Sequence, residues 1–169
     1  ALSMKITDLS PADARAVYKS TAYDLRRYKR LQMFAHAEAP IDESKTLSNG
    51  DFSVFIRLGS DYKNNYYEYE VPLDLTPHST ILYNTNNSAD QEKVWPLNNT
   101  LNFKLETLTD LKLDRNKLKR QGQGNISYQK VYSKNDPDNT RNKISIIGNP
   151  SLAEVKVIMI GVRNNTGDI

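Results

Sequence analysis

The chain has 169 residues, enough for one domain with a sizeable core. It contains no cysteine, which excludes a disulfide framework and thiolate metal sites, and its net charge of +3 is too mild to point to nucleic acid by itself. A mean hydropathy of −0.66 implies a very polar surface, and no apolar run approaches the roughly 20 residues of a helical membrane span.

Ten tyrosines and 17 asparagines against 7 glycines favour turns and β surfaces over helices. The chain opens on Ala-Leu-Ser without an initiator Met or a leader. It reads as an excerpt of a much larger protein, so the missing targeting signal says nothing about location.

Leu2, Met4 and Ile6 alternate with polar neighbours and predict a first strand. A turn follows at Leu9–Asp13, then a short strand at Ala14–Tyr18, for which a helical turn is the alternative. Tyr23–Tyr28 fits a helical turn or a wide loop, and Leu31–Glu38 alternates as a strand. Pro40–Asn49 is a polar connection.

Asp51–Leu73 is the organising stretch. Phe52, Val54, Ile56 and Leu58 alternate on one strand, and Tyr67, Tyr69, Val71 and Leu73 on the next, around a turn-forming loop from Gly59 through Asn65. Burial selects the register with Leu58 opposite Tyr67, Ile56 opposite Tyr69 and Val54 opposite Val71, because a one-residue slip would mix Glu70 into the apolar face. Arg57 then meets Glu68 on the other face, an exposed pair worth at most about 1 kcal/mol.

Asp74–Glu92 reads as a meandering loop around the apolar piece Ile81-Leu82-Tyr83. Leu101, Phe103 and Leu105 predict a strand, and Thr107–Lys117, with a box-like start and basic end, the one short helix. Ile126–Tyr132 and Lys143–Ile147 read as a hairpin around the loop Asn135–Asn142. Val155–Val162 is apolar at both alternations, so it should be a central strand covered on both faces. Taken together, eight to ten short strands and one helix predict an all-β fold, a two-sheet β-sandwich of jelly-roll (galactose-binding-like) type in a single domain over 1–169, with a barrel as alternative.

Few residues carry chemistry. Glu68 and Glu70 share a strand face, but residues two apart on one strand lack the opposing wall of a glycosidase pair. His36 and His78 are the only histidines and have no ligand or triad spacing around them. The oxygen-rich run at 135–139 (NDPDN) could hold calcium but lacks the glycine and terminal glutamate of an EF-hand loop. No cofactor or metal is therefore expected. The basic runs at 26–30 (RRYKR) and 117–120 (KLKR) fit solvated edges better than a nucleic-acid surface. Tyr62, Tyr66 and Trp95 are the candidate contact residues for a partner or a glycan ring.

Six phrases, in order, complete the reading: DARAVYK (13–19), DLRRYKRLQMFAHAEA (24–39), FIRLGSDYKNNYYEYEVPL (55–73), VWP (94–96), LKLDRN (111–116) and GNPSLAEVKVIMIGVRN (148–164). Together they resemble a region of the SprA/Sov family of cell-surface proteins, the outer-membrane translocons of the type IX secretion system, also named for gliding motility. The likeness covers nearly the whole chain, apart from the loops 76–93 and 117–142. It implies a soluble, non-enzymatic domain at the outer membrane or cell surface, contacting other segments of the parent translocon and its accessory envelope proteins. The family supplies no catalytic residue to carry over. A carbohydrate-binding module of the same sandwich type is the alternative function.

Overall fold

The computed structural model describes residues 2–39, 47–78 and 82–166. Among them the strands are β1 (Ala14–Tyr23), β2 (Arg30–Met33), β3 (Phe52–Gly59), β4 (Tyr66–Pro72), β5 (Leu101–Lys104), β6 (Tyr132–Asn135), β7 (Lys143–Ile147) and β8 (Val155–Asn164). The helices are α1 (Ser88–Val94) and α2 (Leu105–Arg120), with a 3-10 turn at Leu97–Asn99.

The β3–β4 hairpin forms in the register that burial requires: Val54 opposite Val71, Ile56 opposite Tyr69, Leu58 opposite Tyr67 and Arg57 opposite Glu68. Asp61 holds the turn by accepting from the backbone N–H groups of Lys63 (2.8 Å), Asn64 (2.5 Å) and Asn65 (3.2 Å). Burial would raise this carboxyl, but those donors and the Asn65 amide outweigh it and bring it down to about 2.

Around the hairpin runs an open antiparallel six-stranded sheet in the order β1-β8-β3-β4-β7-β6, while β2 and β5 pair separately. One sheet face is apolar. Val54, Ile56 and Leu58 of β3, Tyr67, Tyr69 and Val71 of β4, and Ile144 and Ile146 of β7 pack with Leu101 and Phe103 of β5 and with Leu105, Leu108 and Leu111 of α2. The Tyr69 and Phe103 rings stack at 3.9 Å between centroids. Each such side chain, fully buried, contributes on the order of 1.5–3 kcal/mol.

The cover does not reach the whole sheet. Ile158, Ile160 and Val162 of β8 are half-buried and Val17 of β1 is 45% exposed. β8 is therefore interior within the sheet, between β1 and β3, without the double coverage its composition predicts.

The fold is mostly β, as expected, and the described strands close no barrel. They divide six and two, and α2 completes the second layer, whereas a jelly roll shares its strands between two sheets of comparable size. The helix content also differs from the single short helix expected. α2 begins at Leu105, where the N–H still bonds Lys29 O at 3.0 Å, so the β2–β5 ladder passes directly into the helix. α1 lies in a stretch read as loop. It buries no residue and so leaves no apolar period, and it is set by the Asn87 cap on Ala89 N–H (2.9 Å).

Other boundaries shift for equally local reasons. Leu2, Met4 and Ile6 join no ladder. β2 stops at Met33 because its partner β5 offers only four residues. The last hairpin starts at Tyr132, residues 126–131 being turn and irregular chain. The polar connection 40–49 falls largely outside the described residues, as does Ile81; Leu82 beside it is exposed.

Candidate functional site

The densest polar constellation lies on the sheet face away from the apolar core. Strand alternation turns Glu68 and Glu70 of β4 outward, yet they are only 4% and 3% exposed. This corrects the expectation of an exposed Arg57–Glu68 pair. Arg57 Nε donates to Glu68 Oε2 at 2.5 Å, and Arg163 Nη2 reaches from β8 to Glu68 Oε1 at 3.0 Å. Glu70 accepts from Ser53 Oγ at 2.5 Å, pairs with Lys143 Nζ at 2.9 Å and also contacts Arg163.

Aromatic rings fill the gaps between these charges. Phe55 lies between two guanidiniums, with Arg57 Cζ 5.1 Å and Arg163 Cζ 4.8 Å from its centroid. Arg57 also covers Tyr66 at 4.2 Å. Gly161 makes room for the Phe55 ring, since a Cβ there would sit 2.4 Å from Phe55 Cζ.

Burial would raise the Glu70 carboxyl, but the Ser53 hydroxyl, Arg163 and Lys143 together hold it below its ordinary range. A general acid needs the opposite shift, toward its working pH. Both carboxylates are committed to neighbours of this chain, so the pair has the chemistry of a structural brace.

The three candidate contact residues sit in two settings. Tyr66 is buried under Arg57, and Tyr62, in the β3–β4 turn, stacks on Tyr18 at 4.9 Å while its carbonyl accepts from Arg57 Nη1 at 2.8 Å. Trp95 caps the end of α1, is 52% exposed and lies against His36 with centroids 5.5 Å apart. It lines a cavity of about 610 Å³ with Tyr83, Gln91 and Glu92.

Of the remaining candidates, His36 and the acidic loop are occupied by the fold, while His78 and most of the two basic runs are exposed. His36 lies beyond the end of β2, its Nδ1 bonded to Val94 O at 2.7 Å. Asp136 in the acidic loop is buried and accepts from Tyr69 Oη at 2.5 Å and from Asp138 N–H at 2.9 Å, while Asp138 pairs with Lys104 at 2.9 Å. Among the described residues no group of three or more His, Asp or Glu is placed to hold a metal. In the first basic run Arg26 is engaged by Asp24, and its neighbours are exposed.

Two features went unread in the sequence. Arg163 pairs with Glu68 and Glu70 across an intervening strand, which only the topology reveals. Arg115 is fully buried, donating to Gly148 O at 2.7 Å and stacking over Tyr128 at 4.7 Å. Its position one helical turn after Leu111 was the available signal, since i and i+4 share a face.

A family model described as motility related/secretion protein, SprA_N, matches residues 1–169, the whole chain. No curated protein matches it.

Proposed function

Because the chain belongs to the SprA_N motility related/secretion protein family, we propose that it is a non-enzymatic scaffolding and contact module of an outer-membrane protein translocon serving type IX secretion and gliding motility. The observation that supports this most directly is the neutralised centre. Glu68 and Glu70, the best placed carboxylates for chemistry, are bound by Arg57, Arg163, Lys143 and Ser53. Among the described residues the open edge of the sheet leaves backbone groups unpaired, which suits contact with other segments of a large envelope protein and its accessory partners. None of the described helices is long and apolar enough to cross a membrane.

The test is made in the parent protein. Replacing residues 13–166 with a flexible linker should stop export of a secreted cargo and gliding while the parent still accumulates in the envelope. Normal export and gliding would overturn the proposal. A second reading, a carbohydrate-binding module, draws on the half-exposed Trp95 ring beside Tyr83 in its cavity. Retention on a glycan array that is lost in Trp95→Ala would favour it.

A further inference from the structure

β1 forms one edge of the sheet and runs for 10 residues, against 4 for β6 at the other edge. Asn164 N–H bonds Asp13 O at 2.9 Å, which fixes the phase of the antiparallel ladder. Bonded and non-bonded positions alternate from there. Arg15, Val17 and Lys19 therefore exchange hydrogen bonds with Val162, Ile160 and Ile158. Ala16, Tyr18 and Ser20 turn their N–H and C=O groups outward. Among the described residues no strand pairs with that side. Residues 4–7 approach Arg15, Ala16 and Val17 across a cavity of about 360 Å³ but form no ladder with them.

A long open edge is a template for another strand, and proteins usually shorten, bulge or charge such edges. Here the charges also select the partner. Arg15, Val17 and Lys19 share one face at the uncovered margin of the sheet, and all three are exposed. β1 carries no carboxylate of its own; Asp13, just before it, lies 3.7 Å from Arg15 in an exposed pair that an incoming carboxylate can replace. Antiparallel pairing of two copies about Val17 would set Arg15 against Lys19 twice, and like charges directly opposite are destabilising. A strand with carboxylates two positions either side of an apolar residue meets the same edge with both charges matched.

We infer that the outer edge of β1 receives an extended polypeptide strand bearing carboxylates two positions either side of an apolar residue, added to the sheet by main-chain pairing. Backbone hydrogen bonds at Ala16 and Tyr18 supply affinity, and carboxylates opposite Arg15 and Lys19, with an apolar side chain over Val17, set the register. The inference rests on the proposal that the chain is a contact module and names the chemistry of one contact.

The test uses the 169-residue chain and a synthetic peptide, Thr-Glu-Thr-Val-Thr-Glu-Thr. Amide exchange at Ala16 and Tyr18 should slow by about tenfold when the peptide is at roughly ten times its dissociation constant, and less as salt rises. Ala16→Pro removes an outward N–H without touching the β8 ladder and should abolish the effect, as proline is tolerated at strand edges. If that variant does not fold, methylating the backbone nitrogens of the two threonines flanking valine in the peptide removes the same pairing from the other side.

Unchanged exchange at millimolar peptide would overturn the inference. So would equal protection by a peptide with lysine in place of glutamate, or protection of β1 by protein concentration alone. Any of these would leave the contact-module proposal standing, since the linker replacement does not depend on which surface makes the contact. Normal export in that replacement would in turn leave peptide pairing at β1 measurable.

Discussion

Glu68→Ala should destabilise the chain by about 2–3 kcal/mol. Removing one partner of a buried pair costs about 3–5 kcal/mol, because the other charge is left desolvated. Two features of this site reduce that figure. The Arg57 and Arg163 side chains are each 20% exposed, so water reaches part of both guanidiniums. Each also keeps a second partner: Arg57 still donates to Tyr62 O, and Arg163 still contacts Glu70. For a chain of this size 1 kcal/mol moves Tm by about 2–4 °C, so the variant should melt about 4–12 °C lower. Urea titration followed by circular dichroism would give the free energy, with an unchanged slope if only stability is altered. Glu68→Gln keeps the volume and one acceptor and should lose less. A cost below about 0.5 kcal/mol for Glu68→Ala would mean that the lattice behaves as solvated surface pairs, and the burial argument would fail.

Acid should weaken the fold through Glu70. Its folded carboxyl lies below the ordinary value of 4.5, so the unfolded chain binds the proton more readily. The contribution is whole above that value and is lost as pH falls through the folded one; Glu70→Gln should flatten this part of a stability–pH curve, and an unchanged curve would refute the assignment. Gly148→Ala should cost about 3 kcal/mol or more, because φ is +67° and the added Cβ would lie 1.9 Å from Asn64 O. Amide exchange in α2 should rise with it, since Arg115 donates to Gly148 O; near-native stability would show that the turn can relax.

The hairpin was legible because two independent signals agreed. Its apolar positions alternate, and only one register keeps Glu70 off the apolar face; the observed pairing of Arg57 with Glu68 follows. The burial of Glu68 was not legible, because Arg163 joins it from a strand roughly ninety-five residues further along that sits beyond β3. Alternation says which way a side chain points and nothing about what arrives to cover it. For β8 the reverse happened. Its apolar sequence predicted cover on both faces, but the core covers it only in part: Val155 is buried, while Ile158, Ile160 and Val162 stay half-buried. Composition measures a strand's tolerance of burial, while the extent of the opposing layer decides its burial.

The distribution of unmet interactions sets the functional argument. Enzymes keep charged groups poised in a cleft, with donors and acceptors held back for a substrate. In this chain the charged groups nearest the middle of the sheet satisfy one another, and two arginines bridge three strands in doing so: Arg57 from β3 and Arg163 from β8 both hold Glu68 of β4. That bridging stiffens the sheet at right angles to its strands, which a strand-bearing scaffold needs if a further strand is to be added at its rim. Among the described residues the longest run of unmet backbone groups is the outward N–H and C=O of β1, flanked by Arg15 and Lys19. Stiffness at the centre and open backbone at the edge belong to one design, because a flexible sheet would lose ordering entropy at each pairing event. Glu68→Ala should for this reason weaken peptide pairing at β1 as well as stability, although no atom of Glu68 touches the edge.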